Sequence, residues 1–104
     1  MRRGSLHWAD VEKRRPVVIV SPDRRNERAS DVLIVPCSTS VRAMSWHVRL
    51  QRGEAGVFRD CYVACERVAV LRKEFIDPEE LGVLSAARMR EVEEALLSAL
   101  GIGD

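Results

Sequence analysis

The sequence predicts a mainly β fold with a C-terminal α-helix, and three observations carry that reading. Between residues 5 and 71 the apolar residues come in short runs, either β-branched or alternating with polar residues, the lengths and textures expected of strands. Polar, Ser/Thr-rich or Gly-bracketed joints of a few residues separate those runs. From Ser85 onward the apolar spacing changes to three and four, which is the period of a helix.

The elements follow in order. Ser5 to Asp10 alternates loosely and reads as a first strand. Val11 to Arg15 reads as a short charged connection, and Pro16 to Ser21 as a buried β-branched second strand. Pro22 to Arg28 is a polar loop with room for a single helical turn. Asp31 to Pro36 is a third apolar strand, and Pro36, which has no N–H to donate, is expected at a strand end or bulge. Cys37 to Ser45 is rich in Ser and Thr and reads as a loop. Trp46 to Leu50 alternates as a half-buried fourth strand. Gly53 and Gly56 bracket a turn, Asp60 to Cys65 is a fifth strand, and Glu66 to Leu71 is expected to continue it with a bend. Ser85 suits a helix N-cap, Leu84 and Met89 are placed as a hydrophobic staple, and Gly101 suits the far cap. Met89, Val92, Leu96, Ala99 and Leu100 make the inward stripe of a helix over 85–100.

The chain has 104 residues, enough for one domain over 1–104 with a modest core. No apolar run approaches the roughly 20 residues that span a bilayer. No secretory leader is visible in residues 1–10, so a cytoplasmic location is expected. Cys37, Cys61 and Cys65 are an odd set in such a chain, which argues against a disulfide framework. Their spacing with His7 and His47 matches no ordinary ligand pair, and no metal site or cofactor is expected. Net charge is +1 but uneven. Residues 1–52 carry eleven Lys/Arg against five Asp/Glu, and residues 53–104 carry six against eleven. Such asymmetry points to a basic surface for an anionic partner, unless folding mixes the two halves.

In this order the features resemble the MazF/PemK toxins over nearly the whole chain. The matching pieces are Arg3-Gly4, Trp8-Ala9-Asp10, the run Arg15-Pro16-Val17-Val18-Ile19-Val20-Ser21, and Asn26. Then come Val35-Pro36-Cys37-Ser38-Thr39-Ser40, His47-Val48, Gly56, Cys65-Glu66-Arg67-Val68, Leu71-Arg72-Lys73 and Leu81-Gly82-Val83-Leu84 before the helix. The resemblance implies an SH3-like barrel of the MazF/PemK/CcdB type. It implies a homodimer that binds single-stranded RNA in grooves and cuts it without metal, inhibiting translation. It also implies a cognate antitoxin whose disordered tail blocks the groove, and no membrane association. The family's working pair maps onto Arg15 and Ser38, with Thr39 adjacent as a second candidate hydroxyl. The expected RNA-binding set is Arg14, Ser21, Asn26, His47 and Arg67. Two departures stand out. Ser38 stands where the family usually has Thr, and the first loop is short, with only Val11 to Arg14 before Arg15, so the groove is expected to be open.

The residue types suit that chemistry. When the substrate's own 2′-OH attacks the adjacent phosphorus, charge builds on the non-bridging oxygens, and fixed donors must meet it. A guanidinium presents a planar fork that matches two phosphate oxygens. A hydroxyl of Ser38 or Thr39 can donate to the same phosphate. His47 is the residue type best suited to proton transfer but is expected to be a bystander. Arg24, Arg25, Arg28 and Arg42 can add charge for an RNA backbone, and Trp46 can stack a base, although Trp8 and Trp46 more often belong to a core or a dimer interface. Other readings share the fold: a CcdB-like gyrase poison that cuts nothing, a catalytically inactive member that binds only RNA or antitoxin, and a structural SH3-like adaptor. The Arg15-Pro16 and Ser38-Thr39 pieces favour the nuclease over the poison, an adaptor gives Arg15 and Ser38 no reason to converge, and the Ser in place of Thr keeps the inactive member open.

Overall fold

The apolar runs at 17–20 and 32–35 become neighbouring central strands because both of their faces are covered. The computed structural model describes residues 1–40 and 43–103. Among the described residues seven strands form: β1 (Ser5–Val11), β2 (Lys13–Ile19), β3 (Asp31–Ser38), β4 (His47–Leu50), β5 (Cys61–Ala64), β6 (Ala69–Arg72) and β7 (Gly82–Val83). Two helices accompany them, α1 (Asp23–Asn26) and α2 (Ala86–Leu100), with 3-10 turns at Glu54–Gly56, Cys65–Arg67 and Lys73–Phe75. The strands lie in the order β4-β5-β3-β2-β1-β7, and β6 also pairs with β3. The curled, mainly β sheet closed by a C-terminal helix is the predicted fold class. Among the described residues no helix is long and apolar enough to cross a membrane.

Alternation splits the central strands between two clusters. Leu6, Val18, Val35, Cys37 and Val63 face α2, where Val92 and Ala95 complete the packing. Ala9, Val17, Ile19, Val32 and Ile34 face the other way and are covered by Ile76. Removing that apolar surface from water is the main stabilising term, at about 25 cal/mol per Å².

β3 is shared by three partners. It pairs with β6 over Asp31–Ile34, with β2 over Ile34–Pro36, and with β5 over Cys37–Ser38. Pro36 therefore lies inside the strand, not at its end. The β6 ladder stops at Ile34 and the β5 ladder starts at Cys37, so the residue lacking an N–H falls between the two. Cys37 and Ser38 belong to the strand, which corrects their assignment to a loop.

The expected connection over 11–15 is also corrected. β1 and β2 form a tight hairpin in which Val11 pairs with Lys13 around Glu12, whose φ is 65°. Arg15 is thereby a strand residue, opposite Ala9. The expected bent strand over 66–71 is instead the 3-10 turn at Cys65–Arg67 followed by β6. The helix is as read: Ser85 Oγ accepts the N–H of Arg88, and Gly101, at φ 71°, ends it with the N–H of Ile102 reaching Leu97 O. Leu100 departs from the inward stripe and is 61% exposed.

The 3-10 turn at Glu54–Gly56 docks against β7 and α2. A Cβ on Gly56, at φ 84°, would lie 2.2 Å from Leu81 O, so only glycine fits. Arg88 of α2 grips Glu54 through two hydrogen bonds of 2.8 Å. Those bonds, with the N–H of Gln51, hold the Glu54 carboxyl at about 2 against an ordinary 4.5.

Two outcomes follow. Gly56→Ala is expected to cost about 2 kcal/mol or more in urea unfolding, since strain and backbone overlap add. The Glu54–Arg88 pair has a lowered folded-state value, so its contribution is complete above about pH 4.5 and is lost as pH falls towards 2. Urea midpoints measured from about pH 6 down to about pH 3 should fall, and Glu54→Gln should flatten that acid limb.

Candidate active site

β2 and β3 stop pairing at Val17–Pro36 and then part, because β3 turns to β5. Continued by two residues, their register places Arg15 opposite Ser38 on the same face. A cleft of about 150 Å³ opens at this parting, lined by Arg15, Ser38, Thr39 and Arg14, together with Trp8 and Phe58.

Arg15 is 7% exposed, and its Nε is buried without a hydrogen-bond partner among the described residues. No carboxylate among the described residues lies within ion-pair distance of it. A buried charge left uncompensated is destabilising by several kcal/mol, so the arrangement is one that an anion would relieve. Ser38 is 4% exposed; its Oγ accepts the N–H of Ser40 at 3.2 Å and lies 3.1 Å from Ser40 Oγ. Thr39 is exposed at the cleft edge, so both expected hydroxyls accompany Arg15. Alternation puts Arg14 on the opposite face of β2, where it is exposed, sits over the Trp8 ring at 5.6 Å and touches Asp77 at 3.4 Å.

Cys37 and Cys61 form the cleft floor. A hydrogen bond to Cys61, and then burial, push the Cys37 thiol well above its ordinary range, while the charge of Arg15 pulls the other way. Burial, with the nearby charge of Glu66, pushes the Cys65 thiol up to about 12. Neither is a nucleophile at neutral pH. Among the described residues no group of three or more His, Cys, Asp and Glu is placed to hold a metal ion.

Four of the expected RNA contacts lie elsewhere. Ser21 and Asn26 are buried at 1% and 3% exposure and bond to each other: Ser21 Oγ donates to Asn26 Oδ1, and Asn26 Nδ2 donates to Ser21 O. Leu33 N donates to the same Ser21 hydroxyl. Their polar groups are used in the corner joining β2, α1 and β3, and the expected RNA contact gives way to this structural role. His47 sits on β4 with Nε2 2.8 Å from Glu66 Oε2, in a groove shared with Arg88 and Glu91. Arg67 is exposed on the 3-10 turn that follows β5, outside the cleft. Trp46 packs by His47, also outside the cleft, and Arg42 lies outside the described residues.

Sequence reasoning missed Phe58 and Arg59. They reach the cleft because the segment after Gly56 folds back over β1, where Phe58 meets Trp8. Only the two turn glycines hinted at that return.

A curled sheet closed by a helix, with a recessed guanidinium and hydroxyls at a strand parting, defines a small β-barrel protein with a site able to take an oxyanion. Comparison with known proteins gives the family. Residues 2–100 match the family described as PemK-like, MazF-like toxin of type II toxin–antitoxin system, and the chain belongs to it. The probable endoribonuclease MazF5 of Mycobacterium tuberculosis is 31% identical over 96 residues, which cover 90% of this chain and 87% of the relative. Among solved structures, a mycobacterial endoribonuclease in complex with its cognate antitoxin superposes with TM-score 0.87 at 27% identity, over 100% of this chain and 98% of that one. The Mycobacterium tuberculosis toxin MazF-mt6 has TM-score 0.87 at 22% identity, over 96% and 99% of the two chains. The MazE–MazF complex of Deinococcus radiodurans gives 0.81 at 23%, over 99% and 97%.

The uncompensated charge makes a test that needs no substrate. Arg15→Met should raise stability by about 1 kcal/mol or more in urea unfolding, since an apolar side chain fills the place of a buried, unpaired cation. A lowered midpoint would mean that Arg15 is held by partners of its own.

Proposed function

We propose that this toxin is an endoribonuclease that cuts single-stranded RNA at the Arg15 cleft and thereby stops translation. The observation that carries the reading is the buried Arg15, whose guanidinium Nε has no hydrogen-bond partner among the described residues, beside Ser38 and Thr39 at a strand parting. A phosphodiester supplies the missing anion. The substrate's 2′-OH attacks the phosphorus in line, the bond to the 5′-oxygen breaks, the proton lost by the 2′-OH is balanced by one gained at the 5′-oxygen, and a cyclic phosphate and a 5′-hydroxyl remain. Arg15 meets the charge that builds on the non-bridging oxygens, and the Ser38 or Thr39 hydroxyl donates to the same group. No metal takes part. Arg14 neutralises a neighbouring phosphate at the cleft rim, and Arg67 engages the chain further out.

The working unit is a homodimer in the cytoplasm. Leu97, Leu100 and Ile102, exposed at 46%, 61% and 56% near the end of α2, support an apolar contact with a second chain. A cognate antitoxin regulates the enzyme by laying a disordered segment across the cleft.

Purified protein incubated with a long RNA in excess EDTA should cut it, leaving cyclic-phosphate and 5′-hydroxyl ends. Arg15→Ala should slow cleavage at least about a hundredfold, the size of the loss when one preorganised donor to a developing charge is removed. Ser38→Ala and Thr39→Ala compared side by side identify the working hydroxyl. Intact RNA after prolonged incubation with the wild type overturns the reading.

A further inference from the structure

The rim of the cleft carries Trp8, Phe58 and Arg59, which the chemistry at Arg15 leaves unused, beside Arg14. Trp8, on β1 opposite Pro16, meets Phe58 with ring centroids 5.6 Å apart and planes at 38°. Arg14 lies 5.6 Å from the Trp8 centroid, and Arg59 lies 5.7 Å from that of Phe58. All four line the cleft that holds Arg15 and Ser38. Phe58 stays 59% exposed despite both neighbours.

The exposed ring is held in place from both sides. Val57 beneath it is 4% exposed, and Val57 O accepts the N–H of Gly53 at 2.7 Å. Asp60 after it is gripped by the N–H of Arg52 at 2.8 Å and by Arg49 at 3.1 Å. An apolar ring held rigidly in water beside a site for anions is ready for a flat, apolar-faced ligand that also carries negative charge. A nucleotide is such a ligand: its base offers a π-face and its phosphate an anion. Guanidinium groups favour both, since they stack on rings and bond phosphate oxygens.

We propose that Trp8 and Phe58 form a base-stacking shelf that seats the nucleobase next to the phosphate held by Arg15, with Arg14 and Arg59 steadying the flanking backbone. The shelf rests on the single-stranded RNA reading above and assigns to it the first base contact. Stacking alone accepts any base, favouring the larger purine rings, so the shelf sets position along the strand more than sequence.

The test uses Trp46→Phe protein, in which Trp8 is the remaining tryptophan. It is titrated with a short oligoadenylate and with a base-free ribose-phosphate strand of equal length. Adenylate should quench Trp8 fluorescence and bind at least about tenfold tighter than the base-free strand. Phe58→Ala in that background should lose most of that preference, and Phe58→Tyr should restore it. Equal binding of the two strands, or an unchanged preference in Phe58→Ala, overturns the shelf. Cleavage of a long RNA by the same proteins keeps the two readings apart. RNA cut at wild-type rate with no base preference in binding removes the shelf alone. Strands bound with the base preference while the long RNA is not cut remove the nuclease alone. RNA neither bound nor cut removes both.

Discussion

The structure depends on how the backbone hydrogen bonds of β3 are distributed. One edge of this strand serves β6 and then β5, while the other serves β2 for only three residue pairs. Pro36 has no N–H to contribute, and it stands at the point where the first edge is between partners. Because β3 leaves β2 there, the sheet curls and its two halves separate. The cleft is the space that separation leaves, and Arg15 and Ser38 are the residues that the same register, continued by two, would have paired. Curling the sheet and making the site are thus one structural event.

The rest of the molecule holds that opening in place. Clusters on both faces of β2 and β3 fix the strand ends that present Arg15 and Ser38. The Arg88–Glu54 fork ties α2 to the 3-10 turn that leads into Val57 and Phe58. Gly56 and Gly82 let that turn and β7 approach more closely than any side chain allows. Against this rigid surround the buried Arg15, with its unpaired Nε among the described residues, is the exception.

Local pattern was legible where a single physical rule decided the outcome. The α2 caps at Ser85 and Gly101 follow from hydrogen-bond supply at helix ends. The β-branched runs became central strands, and the Gly53–Gly56 bracket became a turn with left-handed glycines at both ends. Arg15, Ser38, Thr39 and Arg14 line one cleft. What failed depended on tertiary pairing. A charged stretch such as Lys13–Arg15 looks like a loop until its partner, the Ala9–Val11 segment, is known. Ser21 and Asn26 looked like available polar groups, but they bond each other in a buried corner. Phe58 gave no periodic signal at all, because its place is set by the return of one irregular segment over β1.

The hairpin tip at Glu12 has a consequence for how such a protein diversifies. β1 and β2 turn around a single residue in a left-handed conformation, and the hairpin's ladder then leads directly to Arg15. Residues inserted at that tip would extend over the cleft without shifting the register that places Arg15 against Ala9. Loop length can therefore drift while Arg15 keeps its position. The tip beside the cleft and the strand that carries Arg15 are separable parts of one hairpin, so each can evolve at its own pace.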